Sequence, residues 1–211
     1  MRVKMTESTD RRPALADAAI AIVARDGLRA LTHRAVDREL DLPAGSTSYY
    51  LRTRRQLIEA IVHRLATRTV TDLRPVAAPA RTVPAAPART VPAAAKSLAA
   101  GLDLLAQRPD DHRARYALSV DLTSDPELHA LITSRSPIRA GTLAAAEAAL
   151  DAIGVRQPAR HAPGLVALID GLLFDRVAGG GLDPDARPPA EPLIRAYLTG
   201  LKRGPENGGA R

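Results

Sequence analysis

The segment Gly45–Leu57, GSTSYYLRTRRQL, is rich in side chains that can bind anions or form hydrogen bonds. Three consecutive short hydroxyl residues precede two tyrosines, and three arginines follow: Ser46, Thr47, Ser48, Tyr49, Tyr50, Arg52, Arg54 and Arg55. The hydroxyls both donate and accept hydrogen bonds, and a guanidinium pairs with phosphate. The whole chain has only four tyrosines, one phenylalanine and no tryptophan, so two adjacent tyrosines are unusual in its composition. The segment therefore predicts a surface that touches an anionic partner.

Two short helices are predicted to position these groups. Thr32 caps a helix over 32–40, which the Asp41–Pro43 turn ends because proline disfavours helix at the residue before it. A second helix follows over 44–50, and the pair has the proportions of a helix-turn-helix. In that motif the second helix enters the major groove of DNA and its first residues reach base edges. Gly45 at its start lets the backbone come close to the DNA.

Positive charge collects in the same part of the chain. Residues 1–74 hold 14 basic and 9 acidic side chains, a net charge of +5, against +2 for the remainder of a chain whose net charge is +7. The sequence pI is near 10.5. This balance favours nucleic acid over a membrane surface as the partner, although an excess of arginine also accompanies GC-rich genomes.

The two stretches Leu31–Val36, LTHRAV, and Gly45–Leu57 resemble the DNA-binding domain of the TetR family of transcriptional regulators. The resemblance covers about 60 residues and implies a homodimer. It implies a three-helix DNA-binding domain at the N-terminus and a larger helical C-terminal domain that binds a small-molecule effector and dimerises through its last two helices. The residues that it places against DNA are Thr32, His33, Arg34, Pro43, Ala44, Gly45, Ser46, Thr47, Ser48, Tyr49, Tyr50, Arg52, Arg54 and Arg55.

Some positions depart from the family pattern. Asp41 stands where the family has its turn glycine, and aspartate tolerates left-handed geometry better than most residues. Ser48 replaces the usual tyrosine, Leu51 the usual phenylalanine and Arg54 the usual lysine. Tyr50 occupies the family's His/Tyr position. A phosphate contact by a tyrosine is expected, and which of the two tyrosines makes it is left open.

The predicted fold class is all-α, because Ala and Leu dominate and strand-forming runs are missing. The DNA-binding domain is expected to span 11–73, with a first helix over 13–27 and a last helix from the Thr53 capping box to about Asp72. A perfect duplication of APARTVPA fills 78–93 and predicts a non-helical linker over 74–92, with a proline-rich docking segment as the alternative. The C-terminal domain is expected over 93–204, with helices over 93–107, 111–123, 126–134, 138–152, 163–178 and 190–203.

The two most apolar C-terminal helices predict a dimer interface, since a monomer of this size rarely leaves such faces at its edge. The interface residues predicted are Leu165, Leu168, Ile169, Leu172, Leu193, Tyr197 and Leu201. The effector-binding candidates are the conspicuous polar and aromatic side chains His112, Tyr116, Asp170 and Phe174. Filling of core space is an equal alternative for the aromatic members of this set.

Several function classes are excluded or disfavoured by the residues that are missing. Without cysteine the chain has no disulfide, no thiolate nucleophile and no cysteine-based zinc site. No nucleophile–base pair, phosphate loop, paired carboxylates or metal-ligand spacing is recognisable, so we expect neither an enzyme nor a cofactor. The sequence shows no signal peptide and no apolar run that could span a membrane, which predicts a cytoplasmic protein. A sequence-specific, effector-released repressor at a palindromic operator is the leading hypothesis; the alternatives are a helical small-molecule-binding protein and a DNA-binding protein without operator recognition.

Overall fold

A computed structural model of the chain describes residues 11–77 and 89–203. Within those ranges every regular element is helical, so the predicted all-α class is confirmed. Two 3-10 turns lie at Leu28–Ala30 and Gly180–Leu182. The α-helices are α1 Arg12–Asp26, α2 His33–Glu39, α3 Ser46–Tyr50, α4 Arg54–Ala77, α5 Val91–Ala106, α6 Pro109–Asp121, α7 Pro126–Ile132, α8 Pro137–Ala152, α9 Pro158–Ala178 and α10 Ala190–Arg203.

The helix starts near the N-terminus follow from their capping residues. The Thr32 hydroxyl accepts a hydrogen bond from the Ala35 amide at 3.0 Å and so begins α2. At the start of α4, the Gln56 amide donates to the Thr53 hydroxyl at 3.1 Å and the Thr53 amide donates to the Gln56 side chain at 3.3 Å. These reciprocal bonds satisfy amides that a helix end leaves without partners. Both caps were predicted from the sequence.

The turn between α2 and α3 depends on two residues with left-handed backbone. Asp41 has φ of 50° and Gly45 has φ of 91°. Aspartate adopts this region more readily than most residues, so the turn forms without a glycine at position 41, as the sequence predicted. At Gly45 a Cβ atom would meet no neighbour within 4 Å, so the backbone angle and not lack of space favours glycine there.

Two apolar cores organise the molecule. The first joins α1, α2 and α4 to α6 and α7, and the second joins α5, α8, α9 and α10. Large fully buried members of the first are Leu15, Ile20, Leu31, Leu57, Ile58, Ile61 and Leu118. Large fully buried members of the second are Leu102, Leu150, Leu165, Leu173 and Ile194. Helices α6 and α7 therefore follow the linker in sequence but pack against the DNA-binding domain.

A cluster of four charged side chains also ties α1 and α4 to α6. Arg64 and Arg68 both bind Asp17, at 2.6 Å and 2.8 Å, and Arg68 reaches Asp111 at 2.5 Å. Burial raises the pKa of Asp111 even though Arg68 opposes the shift. Burial acts the same way on Asp17, but its bonds to the two arginines outweigh it and lower the pKa. The junction between the domains is thus held by both apolar contact and ion pairs.

Three predicted boundaries are wrong. Helix α4 runs to Ala77, past its predicted end near Asp72 and into the start of the predicted non-helical linker. The second APARTVPA copy is not wholly linker, because the Thr90 hydroxyl accepts from the Ala93 amide at 3.4 Å and α5 begins at Val91. Pro92 fits there since the first helical turn needs no amide donor from it. Residues 78–88, which hold the rest of the duplication, lie outside the described residues. Helix α9 begins at Pro158, earlier than the predicted 163, and contains Pro163 at the cost of one backbone hydrogen bond.

Candidate DNA-binding surface

A buried aspartate fixes the second helix of the helix-turn-helix. The Asp37 side chain, on α2, accepts bonds from the Gly45 amide at 2.8 Å, the Thr47 amide at 2.8 Å and the Thr47 hydroxyl at 2.6 Å. These three donors form the start of α3, where backbone amides would otherwise lack partners. Asp37 is 3% exposed, so the bonds form away from water. The carboxylate therefore holds α3 at a fixed angle to α2.

The ionised form of Asp37 is the stable one in this setting. Burial on its own would raise the pKa of the carboxyl group, but the bonds from Thr47 and Gly45, together with the nearby His33, outweigh it and lower the pKa. A carboxylate that accepts several hydrogen bonds is favoured over the neutral acid. The sequence prediction considered only the charge of Asp37. The feature that could have revealed its structural role is an acidic residue three positions before Leu40, on the face of α2 that packs inward.

The outward-facing side of the α2–α3 helix-turn-helix is exposed to solvent. Tyr49 is 79% exposed, and its ring meets that of Tyr50 edge to face, with centroids 5.0 Å apart. Tyr50 is half-buried and packs against the first core. Most of the predicted DNA-contacting residues are exposed beside them: Thr32, Arg34, Pro43, Ala44, Gly45, Ser48, Arg52 and Arg55. The structure thus brings hydroxyl, phenol and guanidinium groups together on one surface.

Two of the predicted DNA contacts require correction. Thr47 has an exposed fraction of 0%, and its hydroxyl is used by Asp37, so it positions α3 and cannot reach DNA. The Arg54 guanidinium donates to the carbonyl oxygens of Leu31 and Leu28, each at 2.8 Å. We therefore assign Arg54 to holding the turn before α2 and not to a phosphate.

Two further members of the predicted set have partners within the protein. His33 is half-buried, and its Nε2 donates to the Leu51 carbonyl oxygen at 2.6 Å, which ties the start of α2 to the end of α3. The Ser46 hydroxyl donates to the Pro43 carbonyl oxygen at 2.6 Å. A hydroxyl that donates still has acceptor capacity for an incoming donor.

Three of the four effector candidates, Tyr116, Asp170 and Phe174, lie where α6 meets α9. The rings of Tyr116 and Phe174 are edge to face at 5.2 Å, and the Tyr116 hydroxyl donates to the Asp170 carbonyl oxygen at 3.2 Å. His112 is buried one turn before Tyr116 on the same helix. Arg115, which was not among the predicted residues, binds the Asp170 carboxylate at 2.8 Å and lies 4.6 Å from the centre of the Tyr116 ring.

Burial affects the members of this cluster unequally. It raises the pKa of Tyr116, which stays a neutral hydrogen-bond donor at physiological pH. Phe174 keeps 48% of its surface exposed although it is the only phenylalanine of the chain. The cluster therefore offers an accessible aromatic face next to a carboxylate and a guanidinium.

The predicted dimer residues divide between the core and the surface. Leu165 and Leu172 are buried inside the second core of this same chain, so their prediction as interface residues is wrong: the face of α9 that they occupy packs on the protein itself. Leu168, Ile169, Tyr197 and Leu201 are half-buried against that core. Leu193 is 42% exposed. One exposed side of α9 carries Ala167, Gly171, Phe174 and Ala178, and Ala196 and Gly200 are exposed on α10.

The described ranges offer neither a cluster of metal ligands nor a helix suited to a membrane. Among residues 11–77 and 89–203, no group of three His, Asp or Glu side chains could hold a metal ion. Over the same ranges, none of the helices combines the length and apolar character that crossing a membrane requires.

Comparison with known proteins agrees with the geometry. Residues 89–203, more than half of the chain, match the family model of the tetracyclin repressor-like C-terminal domain. No curated protein sequence matches the chain. A transcriptional regulator from Rhodococcus sp. Rha1 has a similar structure, with a TM-score of 0.70, 19% identity, and coverage of 92% of this chain and 96% of that one.

Two other solved structures share a larger fraction of residues with the chain. A TetR family member from Streptomyces coelicolor A3 gives a TM-score of 0.64 at 25% identity, covering 92% of this chain and 98% of that one. The multidrug binding protein EbrR in complex with imidazole gives 0.56 at 26% identity, covering 95% and 93% respectively. With the helix-turn-helix geometry and the family match over its C-terminal half, the chain belongs to the TetR family of transcriptional regulators.

Proposed function

We propose that the protein is a repressor that binds a palindromic DNA operator as a homodimer and leaves it when a small-molecule effector binds. The observation that carries the proposal is the fixing of α3 by Asp37, which presents the far side of that helix outward. A recognition helix held rigidly by buried hydrogen bonds can place side chains against base edges without a further loss of conformational entropy on binding.

The proposed contacts divide by chemistry. Ser48 and the backbone near Gly45 lie on the exposed side of α3 and are suited to base edges or nearby phosphates. Tyr49 and Tyr50 offer hydroxyls to phosphate, and Tyr49 is the more accessible of the two. Arg34 and Arg52 are exposed, as are Thr32 and Arg55. In such an interface the arginines supply sequence-independent affinity and groove contacts supply discrimination.

The proposed dimer surface is the exposed side of α9 and α10. It contains Ala167 and Gly171 on α9 with Leu193, Ala196 and Gly200 on α10. Small residues let two helices approach closely, and TetR-family regulators dimerise. A two-fold dimer would read two half-sites spaced by one helical turn of DNA, about 34–36 Å, or by a multiple of it.

We place the effector at the α6–α9 cluster of Tyr116, Asp170 and Phe174. EbrR, which shares the fold, binds imidazole and proflavin, both planar aromatic molecules. The exposed Phe174 ring could stack on such a molecule while Asp170 or Arg115 pairs with its charge. Any effector must prefer one of two conformations of the protein in order to change DNA affinity.

Selection of bound fragments from genomic DNA, followed by footprinting, tests the proposal. A protected palindrome is expected, and compounds that remove the protection identify the effector. Uniform protection of all fragments would instead indicate a DNA-binding protein without operator recognition. Failure to retain any fragment would favour a helical small-molecule-binding protein.

The effector site needs a separate test. Because Phe174 follows Gly171 by one turn on the exposed side of α9, the Phe174→Ala variant must first be shown by sedimentation to keep the oligomeric state of the unsubstituted chain. It should then keep the footprint but require more effector to release it, whereas Val120→Ala, at another exposed apolar residue, should respond as the unsubstituted chain does. Equal effector sensitivity of the Phe174 variant would remove this cluster from the proposal while leaving operator binding intact.

A further inference from the structure

One arginine of the DNA-binding surface already has two carboxylate partners within the protein. The Arg55 guanidinium lies 3.0 Å from the Glu59 carboxylate and 2.8 Å from the Glu127 carboxylate. Glu59 is one turn further along the same helix. Glu127 belongs to α7, 72 residues away in sequence and beyond the linker. The contact therefore brings a negative charge from the C-terminal part of the chain onto the surface proposed to bind DNA.

The position of Glu127 is set by a docked helix. Leu128 and Ile132 of α7 are buried in the first core, which also contains the apolar residues of α4. The Asp125 side chain accepts from the Leu128 amide at 3.1 Å and so fixes the start of α7. Arg135 donates to the Glu127 carbonyl oxygen at 3.3 Å. The Glu127 carboxylate is exposed, but its backbone is held in place beside Arg55.

A carboxylate and a phosphate bind a guanidinium in the same way, through charge and N–H···O bonds. The Nη1 atom of Arg55 donates to Glu127 and its Nε atom donates to Glu59, so each of the two edges that can bind an anion through two N–H bonds, Nε with Nη2 and Nη1 with Nη2, already has one nitrogen bonded to an acid. A DNA phosphate that binds Arg55 through two N–H bonds must therefore displace one of them. Glu127 is the more exposed, at 71% against 44% for Glu59, and so the more readily displaced.

We infer that Glu127 is an internal counter-ion that competes with DNA phosphate for Arg55, so that the α4–α7 contact lowers DNA affinity. The inference rests on the proposed function and adds a means of regulating it. A displacement of α7 away from α4 would free Arg55 and strengthen DNA binding, and DNA binding would weaken the α4–α7 contact in turn, because linkage between two binding events is reciprocal.

Equilibrium binding of the full chain to the selected operator and to a random duplex tests the inference. Glu127→Gln keeps the shape of the side chain and removes its charge. We expect it to bind both duplexes roughly two- to fivefold more tightly at low salt, the effect that an exposed ion pair supports. The gain should shrink as salt rises, because screening weakens exposed pairs.

Two controls separate this contact from a general change in charge. Glu147→Gln makes the same change at an exposed position of α8 and should leave both affinities within experimental error. In an Arg55→Ala background, Glu127→Gln should give no gain, because the competing partner is gone. A melting temperature within a degree or two of the parent chain verifies that each variant is folded.

Either unchanged or weaker binding by Glu127→Gln would overturn the inference, and weaker binding would show that Glu127 orients Arg55 for the phosphate. A gain that persists in the Arg55→Ala background would also overturn it. If the unsubstituted chain binds neither duplex, the proposed function fails as well. Binding that is insensitive to Glu127 would leave the proposed function standing.

Discussion

The substitution Asp37→Asn tests whether a buried carboxylate holds the recognition helix. In the native protein Oδ1 accepts both bonds from Thr47 and Oδ2 accepts the bond from Gly45. An asparagine oxygen can keep the Thr47 bonds, but its amide nitrogen then faces the Gly45 N–H, donor against donor. The change removes one hydrogen bond and the negative charge from the other two, with almost no change of volume.

The expected cost follows from those bonds. A hydrogen bond to a charged group contributes about 1.5–3 kcal/mol, so the loss of one and the weakening of two should lower the free energy of unfolding by about 2–3 kcal/mol. A domain of ordinary stability, about 5–15 kcal/mol, still folds after such a loss. Because α3 must be docked to read DNA, operator affinity should also fall, by at most roughly a hundredfold if the whole cost appears in binding.

The assay is denaturant unfolding of both chains as a function of pH. The pKa of Asp37 is lowered in the folded protein, so its contribution is complete above the unfolded-state pKa of about 3.9 and is lost as the pH falls through the folded value. The difference between native and Asp37→Asn proteins should therefore be full at pH 7 and narrow below about pH 4. Glu39→Gln, on the same helix, removes only an exposed pair with Arg25 and should cost less than about 1 kcal/mol.

Equal stability of the native and Asp37→Asn proteins at pH 7 would refute the reasoning. So would a difference as small as that of Glu39→Gln, since the buried bonds would then contribute no more than a surface ion pair. A full difference that stays constant on acidification would show that the lost stability does not come from the ionised carboxylate.

Three other predictions concern separate parts of the molecule. Arg54→Met should lower the free energy of unfolding by about 1–3 kcal/mol, since two carbonyl oxygens lose a charged donor, and should leave the salt dependence of DNA binding unchanged. Arg52→Met should instead reduce by about one the slope of the logarithm of the DNA-binding constant against the logarithm of the salt concentration. Gly171→Glu should convert a dimer to a monomer in sedimentation. Gly141→Glu, at another helical glycine where a Cβ would have no neighbour within 4 Å, should leave the dimer intact, and a dimeric Gly171→Glu variant would disprove the proposed interface. Deleting residues 78–85 should leave the melting temperature within about 2 °C, because the remaining copy of APARTVPA still supplies the threonine and proline that begin α5, and a large loss would show that the duplication is packed.

The sequence was sufficient for features that depend on local chemistry. Capping by Thr32 and by the Thr53–Gln56 pair, and the left-handed Asp41 in the turn, require only neighbouring residues, and all three were predicted correctly. The start of α5 differs from the prediction because the many prolines of the duplication argue against helix, whereas Pro92 falls in a first turn, where proline is tolerated.

Features that depend on tertiary contact were not accessible from periodicity. Both sides of α9 are apolar or small, so the pattern could not tell that Leu165 and Leu172 face the core of their own chain while Gly171 faces outward. The role of Asp37 depends on the angle between two helices, and the Arg55–Glu127 pair joins residues on opposite sides of the linker. Charge composition located the DNA-binding domain but could not show which arginines already have partners.

The ratio of the affinities for a selected operator and for a scrambled duplex of the same length and base composition tests the central claim most directly. Both should be measured by competition at one fixed salt concentration near physiological. Operator recognition through the α2–α3 unit predicts a ratio of about a thousand or more, which is typical of specific regulators. A ratio near one, or no measurable binding to either duplex, would contradict the account.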